Sequence, residues 1–153
     1  MNWKINKKNY IFVILVIFFT QFVFTQPIYA EQSLSGFWQT IDDATHSPRA
    51  IVYLWEEKQT LYGKIVKVYP RPGDTGKCNN CPGRLKDKPV DNLTFIWGLK
   101  QNSSLEWTDG YILDPSKGDI YRCNISLIPG TNKLKVRGYI GFSLLGRTQY
   151  WYK

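Results

Sequence analysis

After residue 35, apolar and polar positions alternate with a period of two. No stretch beyond residue 30 holds a 3.6-residue apolar period over three turns. The pattern is clearest at the end of the chain. There Leu134, Val136, Gly138 and Ile140 fall on one face and Lys133, Lys135, Arg137 and Tyr139 on the other. That alternation marks a strand with one face buried and one wet. The pattern predicts strands at Gly36–Ile41, Ala50–Glu56, Leu61–Tyr69, Leu93–Leu99, Trp107–Leu113, Asp119–Leu127, Lys133–Ile140 and Arg147–Tyr152. Most links are of hairpin length, as antiparallel neighbours need. The expected fold is all-β: an antiparallel up-and-down barrel of about eight strands, which leaves no open edge. A β-sandwich is the alternative.

Pro70–Asn92 breaks the rhythm. It is rich in Pro, Gly, Lys and Arg, and longer than connections usually are unless they serve a function or are disordered. It carries Cys78 and Cys81, which argues for a pinned loop. Gly63, Gly98, Gly110 and Gly138 fall inside predicted strands, where glycine marks a bend, a bulge or a close approach.

Residues 1–30 are a different material. Lys4, Lys7 and Lys8 precede the nearly unbroken apolar run Tyr10–Phe19, and Ile28-Tyr29-Ala30 has the form of a cleavage site. This is the plan of a secretory signal peptide. Thr20, Gln21 and Gln26 interrupt the run before the roughly 20 residues that a membrane anchor wants. Residues 31–153 are then a single exported domain, periplasmic or secreted, with no transmembrane anchor after cleavage. Three of the 20 Lys and Arg leave with the first 30 residues, so 17 face 12 Asp and Glu, scattered without a block of like charge. That reads as a solvated surface rather than a nucleic-acid site.

Export implies an oxidising compartment, so a disulfide is expected. Cys78 and Cys81 form it as a local clip, and Cys123, on the apolar face of its strand, stays a buried thiol. A redox role for Cys78-Asn79-Asn80-Cys81 would want a helix start in a βαβ setting, and the motif lies in a Pro/Gly loop. Zinc would need all three cysteines and His46, the sole histidine, without paired spacing, so no metal is expected. Gly141-Phe142-Ser143-Leu144-Leu145-Gly146 has one residue too many for a nucleophile elbow. Asp42, Asp43 and Asp114 read as turn residues before they read as an acid–base pair. Catalysis is therefore the weaker expectation, and no cofactor is implied.

Gly36-Phe37-Trp38 with Asp42-Asp43, Cys78-Asn79-Asn80-Cys81-Pro82-Gly83, Ile112-Leu113-Asp114-Pro115 and above all Val136–Gln149 (VRGYIGFSLLGRTQ) carry a likeness. Over Gly36 to the C-terminus the chain resembles domain-of-unknown-function family 2147 of exported bacterial proteins. It departs from that pattern at His46 and Asn92, where the family usually has glycine. The resemblance implies export and a β-rich fold, and it brings no activity. A looser likeness of architecture is to lipocalins and avidins, through Gly36-x-Trp38 on the first strand and Arg147 on the last. It implies that Arg147 packs across Trp38 and closes one end of the barrel.

Beyond residue 30 the chain holds five Trp, eight Tyr and three Phe. An eight-stranded interior is just wide enough to be filled by side chains or to hold one small ligand. Two functional readings follow. In one, the barrel takes up a small apolar or amphipathic ligand against Tyr53, Trp55, Phe95 and Trp97, whose spacing puts them on neighbouring strand positions. In the other, a packed barrel without a cavity serves as an envelope or host-interaction module, acting through its surface loops. Strand two is apolar on both faces, so Tyr53 and Trp55 facing outward would favour an interface.

Overall fold

The structure, a computed structural model, describes residues 33–153. The expected signal peptide, residues 1–30, lies outside the described residues. Eight strands follow in order: β1 (Gly36–Ile41), β2 (Pro48–Glu57), β3 (Thr60–Val68), β4 (Thr94–Ser103), β5 (Glu106–Asp114), β6 (Asp119–Leu127), β7 (Lys133–Tyr139) and β8 (Gly146–Tyr152). Each pairs antiparallel with its sequence neighbour, and Gln39 of β1 meets Tyr152 of β8, so the sheet closes on itself. The expected up-and-down barrel is the fold, and the sandwich is excluded.

The inward positions fill one end completely. Trp38, Leu54, Leu61, Leu99, Trp107, Ile125 and Leu134 are buried where the β2–β3, β4–β5 and β6–β7 hairpins turn. Aliphatic side chains buried this fully each contribute about 1.5–3 kcal/mol. Leu34, ahead of β1, joins this plug, and its carbonyl accepts the Trp38 indole N–H at 2.8 Å. Lys153 lays its ammonium over the same indole, 5.3 Å from the ring centroid.

Strict alternation fails in β4 and β5, through bulges. Lys64 lies opposite Thr94 and Gly63 opposite Ile96, so β4 carries an extra residue, Phe95. It carries another beside Gly98, whose φ is +77°. On β5 the extra residue is Asp109, at φ +62°, between Trp107 and Gly110. Phe95, Ile96 and Leu99 are consequently all buried. Gly110 faces Leu99 so closely that an added Cβ would stand 2.7 Å from the Leu99 nitrogen.

The two departures from the family pattern also find their place. His46 and Asn92 both hold left-handed backbone, at φ +55° and +62°. Glycine adopts that conformation without a steric penalty, asparagine tolerates it, and histidine does so less readily.

Two stability measurements check these local readings. Gly110→Ala forces a Cβ onto Leu99 and is expected to cost about 1–3 kcal/mol in urea unfolding. His46→Gly relieves the left-handed strain and is expected to be neutral or stabilising, by up to about 1 kcal/mol. A neutral Gly110→Ala or a destabilised His46→Gly would contradict the geometry.

Candidate functional site

The other end of the barrel is hollow. A cavity of about 760 Å³ opens there, walled by Val52, Ile65, Phe95, Val136 and Trp151. Phe95 stacks on Trp151 at 6.1 Å between centroids, so these rings form one continuous apolar surface. The mouth is framed by the β1–β2 turn, the long 69–93 connection, the β5–β6 turn and the β7–β8 loop.

Ion pairs ring the mouth. Asp42 sits just after β1 with its Oδ1 accepting the Ala44 and Thr45 N–H groups, each at 2.9 Å, while Oδ2 pairs with Arg71. The Thr45 amide above all, with Ala44 and Arg71, holds this carboxyl below its usual 3.8, against the opposing effect of burial. Asp74 accepts the Arg71 N–H at 2.7 Å and pairs with Arg49 at 2.8 Å. Those contacts, the Arg71 amide first, lower its carboxyl as well. Arg49 also donates to the Tyr69 carbonyl at 2.7 Å, tying β2 to the start of the long connection. Asp43 pairs with Arg147 and accepts Gln149 Nε2 at 3.0 Å, which bridges the β1–β8 seam. Lys77 and Lys117 also line the mouth, exposed and without an ion pair among the described residues.

The long connection is ordered by its own hydrogen bonds. Cys78 N–H donates to Lys88 O and Val90 N–H to Gly76 O, both at 2.9 Å, and Asn92 N–H returns to Ile65 O at 2.8 Å. Cys78 and Cys81 are paired and buried. The Asn80 between them presses on the β5–β6 turn at Gly118, where an added Cβ would collide with the Asn80 carbonyl. The disulfide loop and this turn thus form one side of the mouth together. Cys123 is free and fully buried in β6, and burial pushes its thiol up to about 12.

The four residues expected to line one pocket are separated. Phe95 lines the cavity. Tyr53 and Trp55 lie on the outer face of β2, in a ladder with Phe37 and Tyr62 whose successive centroids are 4.9, 6.2 and 5.6 Å apart. Trp97, turned outward by the β4 bulges, stacks on the exposed Tyr111 at 5.8 Å. The expected Trp38–Arg147 contact is also corrected. Arg147 lies six positions before Lys153, roughly 20 Å along an extended strand, and serves the mouth. The cation on Trp38 is Lys153. Gly36 sits at the start of β1, where an added Cβ would stand 3.7 Å from the Lys153 side chain. The ion pairs of the mouth escaped sequence reading because Asp42, Arg71 and Arg147 are scattered along the chain. The available signal was the coincidence of Asp-bearing turns with basic residues in links at one end of the strand order. Among the described residues no cluster of His, Cys, Asp or Glu could hold a metal ion.

Comparison with known proteins agrees with this architecture. The model of a family described as "Uncharacterized protein conserved in bacteria (DUF2147)" matches residues 36–153. The fold is similar to a solved structure described as "Protein HP1028 from the human pathogen Helicobacter pylori belongs to the lipocalin family". The TM-score is 0.68 at 16% identity, over 79% of this chain and 82% of that one. At such identity the likeness is one of fold. No match was found among curated proteins.

Two titrations test the site. Asp42 and Asp74 have depressed carboxyls, so the stability they lend is full above the unfolded value and is lost as pH falls through the folded one. Carbon-13 titration is expected to place both midpoints below 3.8, with amide exchange in 42–49 and 70–76 rising only beneath them. A midpoint at or above 3.8 for either carboxyl would contradict its contacts. A thiol reagent at pH 8 is expected to find no reactive cysteine in the folded chain and one after unfolding without reductant. Reaction of the native protein would show Cys123 to be accessible.

Proposed function

The chain belongs to the DUF2147 family, and we propose that this member is an exported carrier that takes a small apolar or amphipathic molecule into its barrel. The observation that carries the reading is the cavity. Its volume of about 760 Å³ lies within the roughly 300–1,000 Å³ of small-molecule sites. Its walls are apolar and its polar groups gather at the mouth. Such a division suits a ligand whose hydrocarbon part goes in and whose head stays at the rim. Lys77 and Lys117, unpaired among the described residues, favour a head that is polar or anionic. The lipocalin-like fold supports the reading, since small barrels of this kind have room for one ligand. The Cys78–Cys81 pair supports export, because disulfides persist in oxidising compartments.

A second reading rests on a separate observation. The outer ladder of Phe37, Tyr53, Trp55 and Tyr62 leaves Phe37 58% exposed, and aromatic residues are enriched at protein interfaces. An envelope or host-interaction role would use this wall and leave the cavity idle.

Titration of the chain with dodecanoate as a probe, followed by tryptophan fluorescence, separates the two. A saturable response is expected, weakened at least tenfold in Val136→Phe, which projects a ring into the cavity. It is expected unchanged in Trp55→Ala, which alters only the outer wall. Absence of a saturable response, or sensitivity to Trp55→Ala alone, would turn the choice to the second reading. Native mass spectrometry of the purified protein is expected to show a co-purifying adduct that Val136→Phe lacks.

A further inference from the structure

The β7–β8 loop presents its apolar residues outward. Ile140, Phe142, Leu144 and Leu145 are 68%, 80%, 88% and 76% exposed, the most exposed large apolar side chains among the described residues. The loop is nonetheless ordered from beneath. Leu145 N–H closes a turn onto Phe142 O at 3.0 Å. Arg137 of β7 donates from Nε to Ser143 O at 2.6 Å and from Nη2 to Leu144 O at 3.1 Å, and from Nη1 to Thr148 Oγ1 at 2.8 Å. The guanidinium satisfies the carbonyls that would otherwise draw water to the tip. It has no carboxylate partner among the described residues, so a net positive charge lies directly under an apolar projection.

We propose that this loop docks the barrel on the surface of an anionic phospholipid bilayer, with the cavity mouth facing the lipid. Three features select that occupant. The projection is convex, which suits a deformable hydrocarbon layer; a protein partner would need a matching pocket. Four side chains of this size offer on the order of 500 Å², short of the roughly 800 Å² per partner of a stable protein interface. Charge lies close to the apolar tip: Arg137 at its base, with Lys77 and Lys117 lining the same mouth, opposed there by Asp114, the single unpaired carboxylate of that lining among the described residues. In an interface the tip would enter the headgroup–acyl boundary while the cations meet phosphate. Ile140 and Leu145 also line the cavity, so an apolar path runs from the tip into the barrel. Docking stands on the loop alone, and the passage of an acyl chain along that path rests on the carrier reading above.

The test is co-flotation with vesicles of phosphatidylglycerol and phosphatidylcholine in equal parts. It uses the chain from Glu31, which contains every strand of the closed barrel and its core. The wild-type chain is expected to float with these vesicles, and at least tenfold less with phosphatidylcholine alone or at 0.5 M salt. The double change Phe142→Ser, Leu144→Ser touches only exposed side chains and is expected to reduce binding at least tenfold. Circular dichroism and the dodecanoate titration should be unchanged in that variant, so failure of docking and failure of the carrier reading are told apart. Equal flotation of the variant, or no flotation of either chain, overturns the proposal. A concentration-dependent dimer that the double change abolishes would instead assign the loop to a second copy, and would overturn it too.

Discussion

The molecule depends on a narrow seam. Seven of the eight ladders join strands that are neighbours in sequence, but β1 and β8 meet across one residue pair, Gln39 with Tyr152. So short a ladder supplies little hydrogen bonding, and the seam is held by what flanks it. At the plugged end Trp38 is fixed by the Leu34 carbonyl and covered by Lys153. At the mouth Asp43 of one end of the chain grips Arg147 and Gln149 of the other. Without closure the apolar interior would have no container and the edges of β1 and β8 would lie open to pairing.

Closure also explains the division of labour between the two ends. The plugged end gathers short hairpins and large side chains, including two of the buried tryptophans, Trp38 and Trp107. The mouth gathers the longer links, and their geometry is set by charge and by the disulfide rather than by hydrophobic bulk. Arginine suits that work, because its planar fork binds a carboxylate and a backbone carbonyl together, as Arg49 does with Asp74 and Tyr69. These contacts are half exposed and individually weak. They shape an opening whose existence the plug secures.

The strands were legible because one wet face and one buried face impose a period of two. Where that period held, as in Leu134 and Val136, burial followed the pattern. It misled in β4, where extra residues at Phe95 and beside Gly98 reverse the parity and send Trp97 outward. Glycines inside strands were the available warning, and they do not say which neighbour will turn. The ligand wall was therefore only partly legible: Phe95 belongs to it, while Tyr53 and Trp55 exploit the second apolar face of β2. The mouth was least legible. Its ion pairs join residues 29 positions apart in Asp42 and Arg71, and such distances leave no local pattern.

Burial of Cys123 has a consequence for the order in which the chain matures. Three cysteines under oxidising conditions permit three different bridges, and two of these would staple β6 to the long connection. Cys123 lies opposite Gly138 within the β6–β7 hairpin, a contact between near neighbours in sequence. Such local pairings form early, because little chain entropy is lost in closing them. Once the hairpin packs inward, its thiol is withdrawn from exchange, and the two cysteines three residues apart have only each other. The order of folding then favours the Cys78–Cys81 bridge over either bridge to Cys123.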